Sequence, residues 1–339
     1  MAKYPISSRP TEICVSADGG EWVEEIVLAP LDAQALRIDL SEVSSARPLL
    51  AARLVAAIDM HTRAGTDVQV TPPFAREAGE WLARIGVPTQ LQDSSLLELP
   101  ALRRIEREVV LAPLRCLGRA EEVEPFLERL LEAMRIRLHG PLADSEDAVV
   151  LSLSELCDNA ISHGASSHGI FVAAQSDGER SLMLVVGDLG VGIPAHLGSA
   201  PSDPVDDGRT LRDAIERGTT GVIPDLPSPG AIPDLPSPGA IPDLPTTGAI
   251  PDLPSPGAVP GQSSSGLVTK PSTRGIGLAR VLDELQRAPV ARSLLRIWSA
   301  TGRLEALLEP HQSPKIAAYN QDLYTAGAWV EIVLQARHP

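Results

Sequence analysis

The chain has 339 residues, enough for two domains, and its 43% hydrophobic fraction can furnish each with a core. Lys and Arg number 29 against 44 Asp and Glu, and the net charge of −15 repels nucleic-acid backbones and anionic lipid, so neither is expected as a partner. Residues 1–9 hold no apolar run of signal-peptide length and no stretch is apolar for long enough to span a membrane. Cys14, Cys116 and Cys157 are too widely spaced for a paired-cysteine zinc or redox motif, so the expectation is a soluble cytoplasmic protein with reduced thiols.

The first segment, to about residue 93, alternates strand-like runs (22–28, 35–40, 67–71) with helical ones (48–64, 74–85), the pattern of an α/β layer. From 102 to 139 the pattern turns mostly helical, with apolar residues at three- and four-residue steps in "EEVEPFLERLLEAMRIRL". A further helix is expected from Asp144 or Ser145, as start cap, to Gly164, as stop; Val149, Leu153, Leu156 and Ala160 form its apolar stripe. Glu155 and Asn159, four residues apart, project side by side on the flank of that stripe. A carboxylate beside a carboxamide suits a hard divalent cation and an activated water or hydroxyl, and the same pair reads equally as solvated helix surface.

A hairpin follows, with strands at 170–174 and 182–186 around a turn at 176–178, and its second strand runs into "GDLGVGIP". Asp188 ends that strand with a short acceptor, while Gly190 and Gly192 let the backbone approach a flat or phosphorylated ligand. Far downstream, in "TRGIGLARVLDEL", Gly275 and Gly277 open an amphipathic helix, and a glycine-rich helix start offers unpaired N–H groups to phosphate. Between these segments Pro-Asp-Leu-Pro recurs at Pro224, Pro233, Pro242 and Pro251. Proline and glycine exclude helix and sheet ladder there, so the tract reads as a tether with polyproline-II character, able to span about 100 Å if extended.

In this order the segments resemble the N, G1 and G2 boxes of the GHKL superfamily of ATPases and kinases, over roughly residues 110–336. The resemblance implies a two-layer α/β sandwich with a mixed, antiparallel-rich sheet, helices on one face and ATP with Mg²⁺ as cofactors. It implies that Asn159 holds the Mg²⁺, that Glu155 is the general base and that Asp188 accepts a hydrogen bond from the adenine amino group. Gly190 and Gly192 would shape the adenine wall, and Gly275, Gly277 and Leu278 would stand at the phosphates. Lys270 and Arg274 lie where a cation could reach the β- and γ-phosphates or remain in solvent. For His163, ligand contact and a hydrogen bond at the helix end are both open, and Asp158 reads as a solvated carboxylate or a supporting acceptor. The repeat, within an insertion at 222–266, falls where the family carries its ATP lid. It therefore interrupts a domain, and deleting 223–264 is expected to leave ATP binding intact because loop-closure cost grows slowly with length.

Beyond the G2 box, "SLLRIWSATGRLEALLE" reads as two strands joined at Thr301-Gly302 and "AWVEIVLQA" as a last one, with Trp298 and Trp329 in the core. Residues 1–97 bear a weaker resemblance to STAS domains, and 98–336 form the ATP-binding domain. Ser41, Ser44 and Ser45 lie near the STAS phosphoacceptor region, yet Ala46-Arg47-Pro48 replaces its small-residue turn, which favours a scaffold or sensing role. His139, followed by Gly140-Pro141, makes a poor phosphoacceptor for a histidine kinase, and too few residues follow the G2 box for a gyrase-type transducer. The type that remains is the anti-sigma-factor serine/threonine kinase. Its partner would be a regulatory protein: a sigma-factor antagonist, a STAS protein or a response regulator. Two alternatives stay open, a histidine-kinase catalytic subunit acting on a separate phosphotransfer protein and a non-catalytic nucleotide-gated module, and homodimerisation is compatible with all three.

Overall fold

A computed structural model describes residues 11–14, 35–44, 47–91, 96–99, 109–164, 166–178, 180–197, 206–216 and 277–336. The strand expected at 22–28, Ser45, Ala46, Lys270, Arg274, Gly275 and the whole proline repeat lie outside the described residues. The chain divides into two compact units, one holding Met1–Val222 with Arg274–Pro339 and the other Ile223–Thr273. The described residues all belong to the first.

Two sheets organise this unit. Strands β1 (Thr11–Cys14), β2 (Ala35–Asp39) and β3 (Asp67–Thr71) form a parallel sheet in that order. Strands β4 (Val109–Leu117), β5 (Ile170–Asp177), β6 (Ser181–Asp188), β7 (Arg292–Leu308) and β8 (Lys315–Gln335) form an antiparallel one in the order β4-β5-β6-β8-β7. The fold is therefore mixed α/β, with an antiparallel main sheet.

Two expected elements differ. Within the stretch expected to be mostly helical, β4 is a strand: Val109 and Val110 are β-branched and Pro113 would break a helix, whereas an edge strand tolerates a proline. The break expected at Thr301-Gly302 is a bulge, not a turn. β7 continues to Leu308, with its register against β8 shifted between Ser299 and Gly302 and Ala300 at φ 52°.

Helices cover both faces of the five-stranded sheet, whereas one covered face was expected. Helices α4 (Val123–Arg137), α6 (Glu146–His163), α8 (Asp207–Glu216) and α9 (Gly277–Arg287) share one core with Val172, Leu184, Ile297 and Ile332. The short α5 (Gly140–Ala143) leads into α6 and adds Leu142 to that core. On the opposite face α1 (Pro48–Arg63) and α2 (Arg76–Ile85), with the short α3 (Val87–Gln90), pack against Phe171, Val185, Trp298 and Trp329. Strand alternation explains the two cores, since neighbouring residues of β5, β6 and β8 face opposite ways and are buried on both sides.

Helix α1 touches both sheets and is buried nearly all round; Ala51, Ala52, Ala56 and Ala57 are small enough to let β-layers approach it from two directions. Trp81 of α2 donates a buried hydrogen bond to Gln175 of β5 (2.9 Å), so the residues before and after position 97 share one interior. Trp298 and Trp329 lie in that interior, as expected. Among the described residues no helix is long and apolar enough to cross a membrane.

Candidate functional site

Helix α6 carries Glu155 and Asn159 on the flank facing the start of α9. Leu153, Leu156 and Cys157 anchor its other side in the core, and burial pushes the Cys157 thiol up to about 12. Ser145 sits at the cap position without capping; its hydroxyl bonds the Pro141 carbonyl instead (2.6 Å). The two helices approach so closely at Gly277 that a methyl group on its α-carbon would lie 2.5 Å from Asn159 Nδ2 and 2.7 Å from Glu155 Oε1. No larger residue fits there without moving one of those side chains. This proximity brings the expected base and the expected metal ligand against one of the expected phosphate-site glycines.

The Glu155 carboxylate is 12% exposed and lies 3.7 Å from the guanidinium of Arg280, one turn into α9. Burial raises its pKa above the usual carboxylate range, Arg280 opposes that and Asp158 adds to it. Asp158 is itself exposed on the helix flank, and its pKa is also raised by partial burial. Asn159 Nδ2 is buried and has no hydrogen-bond partner among the described residues.

Asp188 ends β6 and is 2% exposed. Burial lifts its carboxyl from 3.8 to about 6, and hydrogen bonds from the Gly190 and Ala328 amides offset part of that rise. The Gly190 bond is 2.7 Å. The loop from Asp188 to Gly192 rests backbone to backbone on the end of α6: the Val191 amide donates to the Gly164 carbonyl (2.9 Å), and a Cβ at Gly190 would fall 1.5 Å from that same oxygen. Gly164 ends α6 in a right-handed conformation, not the left-handed one of a C′ glycine. Its small size serves close approach, because a Cβ there would stand 3.0 Å from the Asp188 carboxyl. Gly192, at φ 77°, turns the chain into α7 (Ile193–His196), whose first amide donates to Ser299 Oγ (2.8 Å).

Between α6, the end of β6, α7 and the start of α9 lies a cavity whose empty space is about 620 Å³ when the open solvent at its mouth is included. Its wall is mostly apolar, with Leu156, Val186, Ile193, Leu278 and Val330, and its polar side chains are Asn159, His163, Asp188 and His196. Of the expected site residues, Asn159, His163, Asp188, Gly192 and Leu278 line it directly, while Gly190 braces the Asp188 loop and Glu155 and Gly277 meet beside Asn159. Lys270, Arg274 and Gly275 lie outside the described residues.

Sequence reasoning missed His196, Ser299, Arg280 and Gly327. Gly327 adopts φ 73° on β8 and has its α-carbon directly over the Asp188 carbonyl, where a Cβ would sit 1.9 Å from the oxygen. An isolated glycine within "YTAGAWVEI" was the available sign of a close backbone approach. Ser299 and Arg280 carry no local signal, since their partners Ile193 and Glu155 lie more than a hundred positions away.

The donor set fits an adenine nucleotide with a divalent cation. The Asn159 carboxamide has an oxygen able to ligate a cation and a buried Nδ2 donor, without a partner among the described residues, that suits a ligand acceptor such as a phosphate oxygen; Asp188 is a buried acceptor able to take an amino hydrogen, and the Gly277 backbone comes close to Asn159 and Glu155 with no side chain between. No protein-family model, curated protein or solved structure matches the chain.

Proposed function

We propose that the chain is an ATP- and Mg²⁺-binding regulatory protein of the GHKL type, which transfers the γ-phosphoryl group to a serine or threonine of a partner protein as anti-sigma-factor kinases do. The observation that carries this reading is the meeting of Glu155, Asn159 and Gly277 beside a cavity whose lining also holds Asp188.

The assigned roles follow from the surroundings of each side chain. Asp188, ionised at neutral pH, accepts from the exocyclic amino group of adenine while the aliphatic wall takes the ring faces. Asn159 would hold Mg²⁺ through its amide oxygen. When bound, that cation neutralises charge on the phosphate oxygens. Glu155 takes the proton from the incoming hydroxyl as the hydroxyl oxygen bonds to the γ-phosphorus and the bond to the β–γ bridging oxygen breaks, releasing ADP. Partial burial makes Glu155 a stronger base than a solvated carboxylate, and Arg280 keeps it ionised and turned toward α9. The N-terminal amides of α9 face the phosphate side, where the helix dipole favours negative charge. The partner is a regulatory protein of the sigma-factor-antagonist, STAS or response-regulator class, and residues before 97 act as a STAS-like scaffold.

Calorimetry with MgATP, followed by incubation with γ-labelled ATP and cell extract, tests the reading. Wild type binds ATP in a magnesium-dependent manner and labels a protein with acid-stable phosphate. Asn159→Ala loses the magnesium dependence, and Glu155→Ala binds without labelling. Acid-labile label would assign histidine transfer, tight binding with no label would assign a nucleotide-gated module, and absence of binding by folded protein would overturn the reading.

A further inference from the structure

His196 closes α7, and two hydrogen bonds and one backbone angle fix where it stands: its amide donates to the Gly192 carbonyl (3.1 Å), the Ile193 amide donates to Ser299 Oγ, and Gly192 holds a positive φ. Its imidazole packs on that of His163, with ring centres 4.4 Å apart and planes tilted by 41°. Both rings line the cavity, and the wall around them is aliphatic, with Ile193, Leu197 and Val186. Yet His196 Nε2 is buried and has no hydrogen-bond partner among the described residues. A buried ring nitrogen beside a cavity is satisfied by whatever fills the cavity.

The chemistry of the neighbours selects what that must be. Asp188, when ionised, only accepts, and it takes an amino hydrogen. Asn159 lies one helical turn before His163, beside Gly277 and Glu155, and is the residue assigned to the cation. A purine presents an amino donor together with ring nitrogens that only accept, so its ring nitrogens need a donor at the Asp188 end. With Asn159 assigned to the cation and phosphates, the remaining side-chain donors of the cavity lining are the imidazoles, and His163 adjoins Gly164, which lies against the Asp188 carboxyl. We infer that His196 donates a hydrogen bond through Nε2–H to a ring nitrogen of the bound purine and is a specificity-determining residue for the base. The inference rests on the adenine-nucleotide reading of the cavity and adds to it a second base contact, from a residue outside the three boxes.

The test is calorimetry on the full chain with MgATP and with ATP analogues in which each purine ring nitrogen in turn is replaced by CH. Wild type binds one analogue about 3- to 10-fold more weakly than ATP, the loss of one hydrogen bond. His196→Phe, which keeps a ring against His163, binds ATP weaker by a similar factor and no longer distinguishes that analogue, while His196→Gln restores a donor and the discrimination. Three results would overturn the inference: wild type binding every analogue as tightly as ATP, which needs no variant; His196→Phe binding ATP like wild type; or His196→Phe binding weakly with the analogue penalty intact, which marks a packing role. Wild type that binds neither ATP nor any analogue overturns the nucleotide reading itself, a separate outcome.

Discussion

On the face of the five-stranded sheet that carries α1, the strands close completely. Arg53 is 2% exposed there, its guanidinium carbon 4.9 Å from the Trp298 ring and 5.5 Å from the Trp329 ring, with Phe171 stacked on Trp329 at 6.0 Å. On the face that carries α6 and α9, the same strands leave a cavity edged by two nitrogens without partners among the described residues and a carboxyl whose pKa is displaced. Both faces are buried, so burial does not separate structure from site. What separates them is the cavity: on the first face the Arg53 guanidinium packs on Trp298 and Trp329 by cation–π contact, and on the second Asn159, His196 and Asp188 border open space.

Substitutions can break this contrast from either side. The largest expected effect is on the closed face: Trp329→Ala leaves a void among Arg53, Phe171 and Gly187 and lowers unfolding free energy in urea by about 3–5 kcal/mol. On the open face, Glu155→Gln lowers phosphoryl transfer by about 10²- to 10⁴-fold. ATP affinity and the urea midpoint stay near wild type, because glutamine keeps the shape that packs against Gly277 and the lost pairing with Arg280 is offset by no longer burying a charge. A variant as destabilised as Trp329→Ala would place Glu155 among the structural residues.

The third effect is on pH dependence. Asp188 has a folded pKa of about 6 against 3.8 when solvated, so the native state binds the extra proton and this group favours folding most below about pH 4, a contribution lost as pH rises through about 6. At neutral pH the buried charge opposes folding by about 3 kcal/mol. Ligand-free Asp188→Asn is therefore more stable than wild type near pH 8, and the gap narrows toward pH 5; a gap independent of pH would contradict the assignment. The same variant loses ATP binding, since the amide presents a donor where the amino group needs an acceptor. The smallest effect is at the rim, where Asp59 of α1 meets His168 (2.7 Å) and Arg63 (2.9 Å). His168→Ala is expected to cost about 1–2 kcal/mol in urea, Arg63 remaining on Asp59, and to leave ATP affinity unchanged.

Much of the architecture could be read from local pattern. The helix ending at His163, strands β2 and β3 and the hairpin of β5 and β6 follow from periodicity that tertiary contacts reinforce. Strand β4 could not be read so easily: Pro113 and an irregular burial pattern disguise an edge strand that is defined by its pairing with β5. The long β7 was hidden by Gly302, which marks a turn in most sequences and a bulge here because β8 lies alongside to hold the register. At the site, Glu155, Asn159 and Asp188 stood out because spacing and strand position are local properties. His196 did not, because nothing in "GIPAHLG" reveals that a second imidazole will arrive from the end of α6.

The contact of Gly190 with Gly164 has a mechanical consequence. Since one glycine rests its backbone on the other with no side chain between them, a slide of α6 along its axis must carry the Asp188 loop with it. The groups assigned to the base and to the phosphates thus ride on a single lever, and anything that pushes on either end of that helix alters grip at both.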